Sequence, residues 1–265
     1  MTDFVFTMTT GRSGTAYLAQ LLEQNLPDAE SYHEILGWDR FGVDTPDVSH
    51  MTLFNSQGNV EKVQAFWRGK LARVAATPRR FYVETSHLLM KAGLIENIDP
   101  LAARGTVRLI ALERDIAATV LSFRRRLDFV NKGNWWMWYL DPHYPRNIVS
   151  PEPFADEGIN GLCLWYIYEI RARAARYAKL LAGAPNISFH KCDLAELRTR
   201  EGVSRLLEGF GVRKAPEEVS LPPPRNVGTV LARIDDDEEA GIRRMIAAFE
   251  SRAGGGPDAR VSAAR

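Results

Sequence analysis

The sequence predicts an α/β protein of three layers, a central parallel sheet flanked by helices. Three observations predict it. Short apolar runs alternate with amphipathic helical stretches, the pattern of strands joined by right-handed helical crossovers. Val107 to Leu112 (VRLIAL) is the clearest strand, an apolar run of the kind a strand covered on both faces shows. A glycine-rich turn, Thr9 to Gly14, lies between the first apparent strand and the first apparent helix.

In chain order, Phe4 to Met8 reads as a short buried strand and Thr15 to Leu26 as a helix. Leu18, Leu21, Leu22 and Leu26 share one face of that helix, and Pro27 closes it. Ala29 to His33 is a second short strand. Residues 37 to 60 scatter Gly, Pro, Asn and Ser and read as a long surface excursion. Glu61 to Ala76 is helical, with Val63, Phe66, Trp67, Leu71 and Val74 as its apolar side. Phe81 to Thr85 is a strand. Ile116 to Arg126 is a helix opened by Asp115, and residues 127 to 158 read as a lid or acceptor insertion. Asn160 to Leu181 is a long helix, Ile187 to His190 a strand and Ala195 to Phe210 a helix. Residues 1–252 are expected to form a single domain, with 253–265 a disordered tail.

Composition narrows the function. The chain has 265 residues, 45% hydrophobic and 25% charged, enough to bury a large core. Lys plus Arg number 34 against 33 for Asp plus Glu, so no global field draws it to nucleic acid or a membrane. Any cationic site must be local. Cys163 and Cys192 sit in apolar or strand-like context as buried free thiols, which fits a reducing compartment. No stretch reaches the length of a signal peptide or a membrane span, and the expected location is cytoplasmic. Oligomeric state is not legible.

Three motifs follow strand ends, where ligands of parallel sheets bind. The first is Arg12-Ser13-Gly14-Thr15-Ala16-Tyr17. An ATP-binding loop would carry Lys where Thr15 stands and Ser or Thr where Ala16 stands. Without them the loop is an anion nest at a helix N-terminus, with charge from Arg12 and hydroxyls from Ser13 and Thr15. It suits a nucleotide phosphate bound without a metal.

In these residues the chain resembles the sulfotransferases that use 3′-phosphoadenosine 5′-phosphosulfate (PAPS), which have a P-loop-like fold. The loop is similar to their 5′-phosphosulfate loop. Ala16 departs from the family's more common second threonine, and Tyr17 matches a position where the family often sets a tryptophan against adenine. The family reads the 3′-phosphate with an Arg at a strand end and a Ser eight positions later, here Arg114 and Ser122. A dianionic phosphate suits a guanidinium fork plus a hydroxyl. Eight helical residues rise about 12 Å, so Arg114 would have to reach back along the helix. Arg225-Asn226-Val227-Gly228 is similar to the segment that closes over the 3′-phosphate, with Asn in place of its Lys. A plain turn after three prolines is the alternative. Arg124-Arg125-Arg126 reads as a solvated helix end, or as further contact with the 3′-phosphate or an acidic acceptor.

Sulfuryl transfer to an alcohol or amine requires a base on the acceptor and a cation at the departing phosphate oxygen. Arg12 is placed for the second role. For the base, the resemblance implies either Glu34, within Ser31-Tyr32-His33-Glu34, or His87, within Glu84-Thr85-Ser86-His87; His33 ranks third. Thr85 stands where the family's Lys-Thr-His pattern has its Lys. Asn134-Trp135-Trp136-Met137-Trp138-Tyr139 is an aromatic platform for an acceptor or the packing of an insertion. Trp165, Tyr166 and Tyr168 are expected in the core. The acceptor stays open between carbohydrate, lipid headgroup and small phenol or alcohol. The rivals are a small-molecule kinase with a degenerate phosphate loop and a non-catalytic nucleotide-binding protein of the same fold. Neither a metal nor nucleic acid is expected as a partner.

Overall fold

The computed structural model describes residues 1–33, 44–130, 138–223 and 231–252. The strands are β1 (Thr2–Met8), β2 (Ala29–His33), β3 (Phe81–Thr85), β4 (Gly105–Glu113) and β5 (Ile187–Asp193). The helices are α1 (Thr15–Asn25), α2 (Val48–Gln57), α3 (Glu61–Val74), α4 (Asp99–Ala102), α5 (Ile116–Arg125), α6 (Gly158–Leu180), α7 (Arg200–Gly209) and α8 (Asp236–Arg252). They fall into two compact units, the described residues of 1–113 with 181–226 and those of 114–180 with 227–265.

The first unit holds the sheet. Its five strands run in the order β2-β3-β1-β4-β5, and every pairing is parallel. Side chains alternate between the two faces, so Val5, Val83, Ile110, Leu112 and Cys192 share one face. That face is covered by Leu18, Leu21 and Leu22 of α1 and by Val203, Leu206 and Leu207 of α7, all in one buried cluster. Phe6, Tyr82 and Glu84 lie on the opposite face, where Lys70 of α3 reaches Glu84. Helices on both faces of a parallel sheet make the three layers that the alternation of apolar runs predicts.

Two readings of the sequence need correction. Residues 44–60 are more than surface: α2 buries His50, Met51 and Phe54, and its N-terminus is capped by Asp47, which accepts from His50 N at 2.8 Å. The single helix expected from Ala195 to Phe210 is broken. A 3₁₀ turn, Glu196–Arg198, ends at extended Thr199, whose hydroxyl caps α7 by accepting from Gly202 N at 3.1 Å.

The second unit packs α5, α6 and α8. Phe123, Phe129, Tyr139 and Tyr166 form an edge-to-face and stacked cluster with centroids 4.6–6.0 Å apart. Tyr139 therefore packs as core, and so do Trp165, Tyr166 and Tyr168. Within α6 the buried pair Glu169 and Arg173 closes at 2.6 Å. The other oxygen of Glu169 accepts from Ile148 N and Val149 N, which fastens the segment before α6. Both cysteines are buried and free.

Candidate active site

The parallel register brings the carboxyl ends of β2 and β3 together, with His33 paired to Thr85, and sets β1 on the other side of β3. Residues following all three strands meet there. The loop after β1 is tied from both ends. The Thr9 hydroxyl lies 2.6 Å from Leu112 O and 2.7 Å from Ser13 Oγ, while the Ser13 hydroxyl donates to Thr10 O at 2.8 Å. Ser13 is thus turned inward and buried. Arg12 and Gly14 on either side are left-handed, at φ 63 and 97. Such residues turn successive backbone N–H groups toward one point. Arg12 has no glycine's licence for that conformation, which places backbone strain in this loop. α1 then opens with no side-chain cap and no acidic residue in its first turn, an end suited to an anion.

Thr15, Ala16 and Tyr17 are buried in the first turn of α1. Tyr17, a candidate adenine platform, belongs to the apolar cluster and is 7% exposed. Its hydroxyl donates to Leu197 O at 3.0 Å, and burial raises its pKa.

Threonines bind the neighbouring turn to this loop. Thr85 Oγ1 donates to Thr15 O at 2.9 Å, and Thr7 Oγ1 donates to Ser86 O at 3.0 Å. Ser86 Oγ in turn accepts from Leu88 N at 3.0 Å, which fixes the bend that carries His87. Nδ1 of His33 lies 2.8 Å from Thr85 O. His87 Nδ1 lies 2.8 Å from Nζ of Lys91, a lysine with no exposed surface. Burial and then the charges of Lys91, His33 and Arg12 hold the His87 pKa well below the usual histidine value. The ring is neutral at pH 7, and the same couplings place these four basic side chains in one neighbourhood.

Behind the turn, on the other face of β3, the Lys70 ammonium donates to both oxygens of Glu84, at 3.0 and 2.8 Å, and Tyr82 OH donates to Glu84 Oε2 at 2.8 Å. Glu84 is fully engaged there and takes no part at the loop.

Arg114 and Ser122 belong to the second unit. Arg114 precedes Asp115, whose carboxylate caps α5 by accepting from Ala118 N at 2.7 Å, and its own carbonyl accepts from Arg171 at 3.1 Å. Ser122 is half-buried within α5. Of the following arginines, Arg124 donates to the Asn160 amide oxygen and to Glu238 at 2.6 Å each, and Arg125 lies 3.6 Å from Glu239. Glu34, Arg225, Trp135, Trp136 and the 253–265 tail lie outside the described residues. Among the described residues, no group of three or more His, Cys, Asp or Glu side chains could hold a metal ion, and no helix is long and apolar enough to cross a membrane.

Solved structures similar to this chain include a sulfotransferase from Alicyclobacillus acidocaldarius, at 13% identity over 99% of this chain and 95% of that one, with a TM-score of 0.48. The sulfotransferase domain from the curacin biosynthetic pathway is 13% identical over 93% of this chain and 98% of that one, with a TM-score of 0.48. Mouse sulfotransferase SULT7A1, solved with PAP, is 12% identical over 98% and 87%, with a TM-score of 0.44. No family model matches the chain, and no curated protein matches it.

Sequence reading missed Lys91 and Lys70. Each had a signal: a lysine inside an apolar run (Leu88-Leu89-Met90-Lys91-Ala92) or on the core side of an amphipathic helix. A lysine is seldom fully buried without a partner, so such a position asks for one.

Proposed function

We propose that this protein is a PAPS-dependent sulfotransferase, moving a sulfonate group in line to a hydroxyl or amine of an acceptor. One observation carries the reading. A strained, cap-free helix N-terminus stands beside Arg12, His33, His87 and Lys91, at the carboxyl edge of a parallel sheet, in a loop without the residues of a metal-ATP site. The chemistry of that donor set fits a phosphosulfate: backbone amides and cations for negative oxygens, with no hydroxyl at Ala16 to hold magnesium. Arg12 and the amides after Gly14 would hold the 5′-phosphosulfate, and Arg12 would offset charge on the departing oxygen. Arg114 and Ser122 are assigned the 3′-phosphate, and Arg225 a contact with the same group. PAPS is a co-substrate in this scheme, and the acceptor is a carbohydrate, lipid or small phenol or alcohol.

The test is calorimetric titration of the protein with adenosine 3′,5′-bisphosphate beside magnesium-ATP. Binding of the bisphosphate, indifferent to magnesium, is the expected result. Arg114→Ala should weaken it at least tenfold, while adenosine 5′-monophosphate binding changes little. Preference for magnesium-ATP would sink the proposal in favour of a kinase, and equal loss for both nucleotides would remove Arg114 from the 3′-phosphate.

A further inference from the structure

Two histidines meet at this site, and their partners differ in kind. His33 Nδ1 faces Thr85 O at 2.8 Å, with Thr85 Oγ1 at 3.3 Å. A carbonyl oxygen only accepts, so His33 Nδ1 carries the proton and the neutral ring keeps its lone pair on Nε2. His87 Nδ1 faces the Lys91 ammonium at 2.8 Å. An ammonium has three protons and no lone pair, so here Nδ1 accepts and the proton of the neutral ring sits on Nε2.

We infer that the two rings are locked in opposite tautomers, His33 as the proton acceptor and His87 as a hydrogen-bond donor held so by Lys91. Lys91 is a positioning residue: it acts through His87. This rests on the sulfotransferase reading for its chemistry and sets His33 ahead of His87 as a candidate base, since a ring with Nε2–H has no lone pair there to take a proton. The acceptor's proton passes to His33 Nε2 as the acceptor oxygen forms its bond to sulfur. The bond from sulfur to the bridging phosphate oxygen breaks, and its electron pair leaves on adenosine 3′,5′-bisphosphate. His33 returns its proton to water. His87 Nε2–H and Arg12 donate to the oxygens that gain charge.

Burial agrees with the division. His87 is flanked by Lys91 on its own turn, His33 from β2 and Arg12 from the loop after β1, and all three disfavour a second proton on it. A ring kept neutral across physiological pH is a steady donor.

The experiment is a two-bond proton–nitrogen NMR spectrum of the full-length protein labelled at histidine, recorded near pH 7.5 without nucleotide and assigned with His33→Gln and His87→Gln. Expected are a protonated Nδ1 for His33 and a protonated Nε2 for His87. The opposite pattern at either ring overturns the inference, whatever the protein binds. In Lys91→Met the His87 ring should gain a population protonated at Nδ1, and its titration midpoint should rise by at least one pH unit. An unchanged tautomer and midpoint would remove Lys91 from the scheme. If Lys91→Met does not fold, the wild-type spectrum alone decides the tautomers. Failure to bind adenosine 3′,5′-bisphosphate would sink the sulfotransferase reading and leave the tautomers standing, so the two failures are separate.

Discussion

Gly14 shows why the loop's spelling matters. At φ 97 an L side chain is strained, and an added Cβ would lie 2.6 Å from Leu194 Cδ1 in the core. Glycine here serves conformation and close approach at once, and the sequence motif conveys that much. The buried pair behind it was invisible, because a helix pattern does not reveal that Lys70 points inward or that Glu84 is its partner. Both groups are essentially without exposed surface. Removing one partner leaves a buried charge alone, so Lys70→Met should cost about 3–5 kcal/mol. Thermal unfolding should then shift down by roughly 10 °C. Lys70→Met with Glu84→Gln should recover most of that loss, since Tyr82 can still donate to the amide oxygen. A double variant no more stable than the single one would show that the pair's charge is not what the fold depends on.

Elements were legible where one physical signal governed them. β2 and β3 match the sequence reading residue for residue, and β1 and β4 extend it by one or two residues at their ends; β1 from Phe4 and all of β3 are buried and carry a continuous apolar signal, whereas the edge strand β2 buries only Ser31. α2 was lost because its apolar residues are few and lie among Ser, Thr and Asn. α7 was merged with the turn before it because Thr199 caps by its hydroxyl, which hydrophobic periodicity does not register. The site divides similarly. The loop and the histidines were legible from residue types, whereas their tautomers depend on Thr85 O and Lys91, which only packing supplies. The contact of β5 with the end of α7 carries a testable consequence. His190 packs 4.8 Å from Phe210, and burial followed by the Arg108 charge lowers its pKa to about 4. The unfolded ring takes its proton near pH 6.5, so the folded state is penalised as pH falls from 6.5 to 4 and not above that window. The full shift would correspond to about 3 kcal/mol, and partial exposure reduces the expected loss to ~1–2 kcal/mol. Urea unfolding across that range should fall less steeply for His190→Gln than for the wild type. Parallel curves would mean that the ring is not what makes this contact sensitive to acid.

At the scale of the whole chain, neither compact unit is a continuous stretch. The sheet unit is residues 1–113 with 181–226, and the helical unit fills the gap and the remainder. Only Arg114 and Asp115 separate the end of β4 from the start of α5 in sequence. A sheet unit halted at residue 113 would lack β5 and α7. It would also lack Leu194, Leu197, Val203, Leu206 and Leu207, which complete the cluster around Val5, Val83 and Ile110. We therefore propose that residues 1–252 fold as one domain. Scanning calorimetry should show a single transition whose calorimetric and van't Hoff enthalpies agree, displaced upward by adenosine 3′,5′-bisphosphate. A fragment of residues 1–113 should show no cooperative transition of its own. Two resolved transitions in the full chain, or a fragment that melts cooperatively, would establish that the sheet unit completes its core without the strand and helix that follow it in sequence.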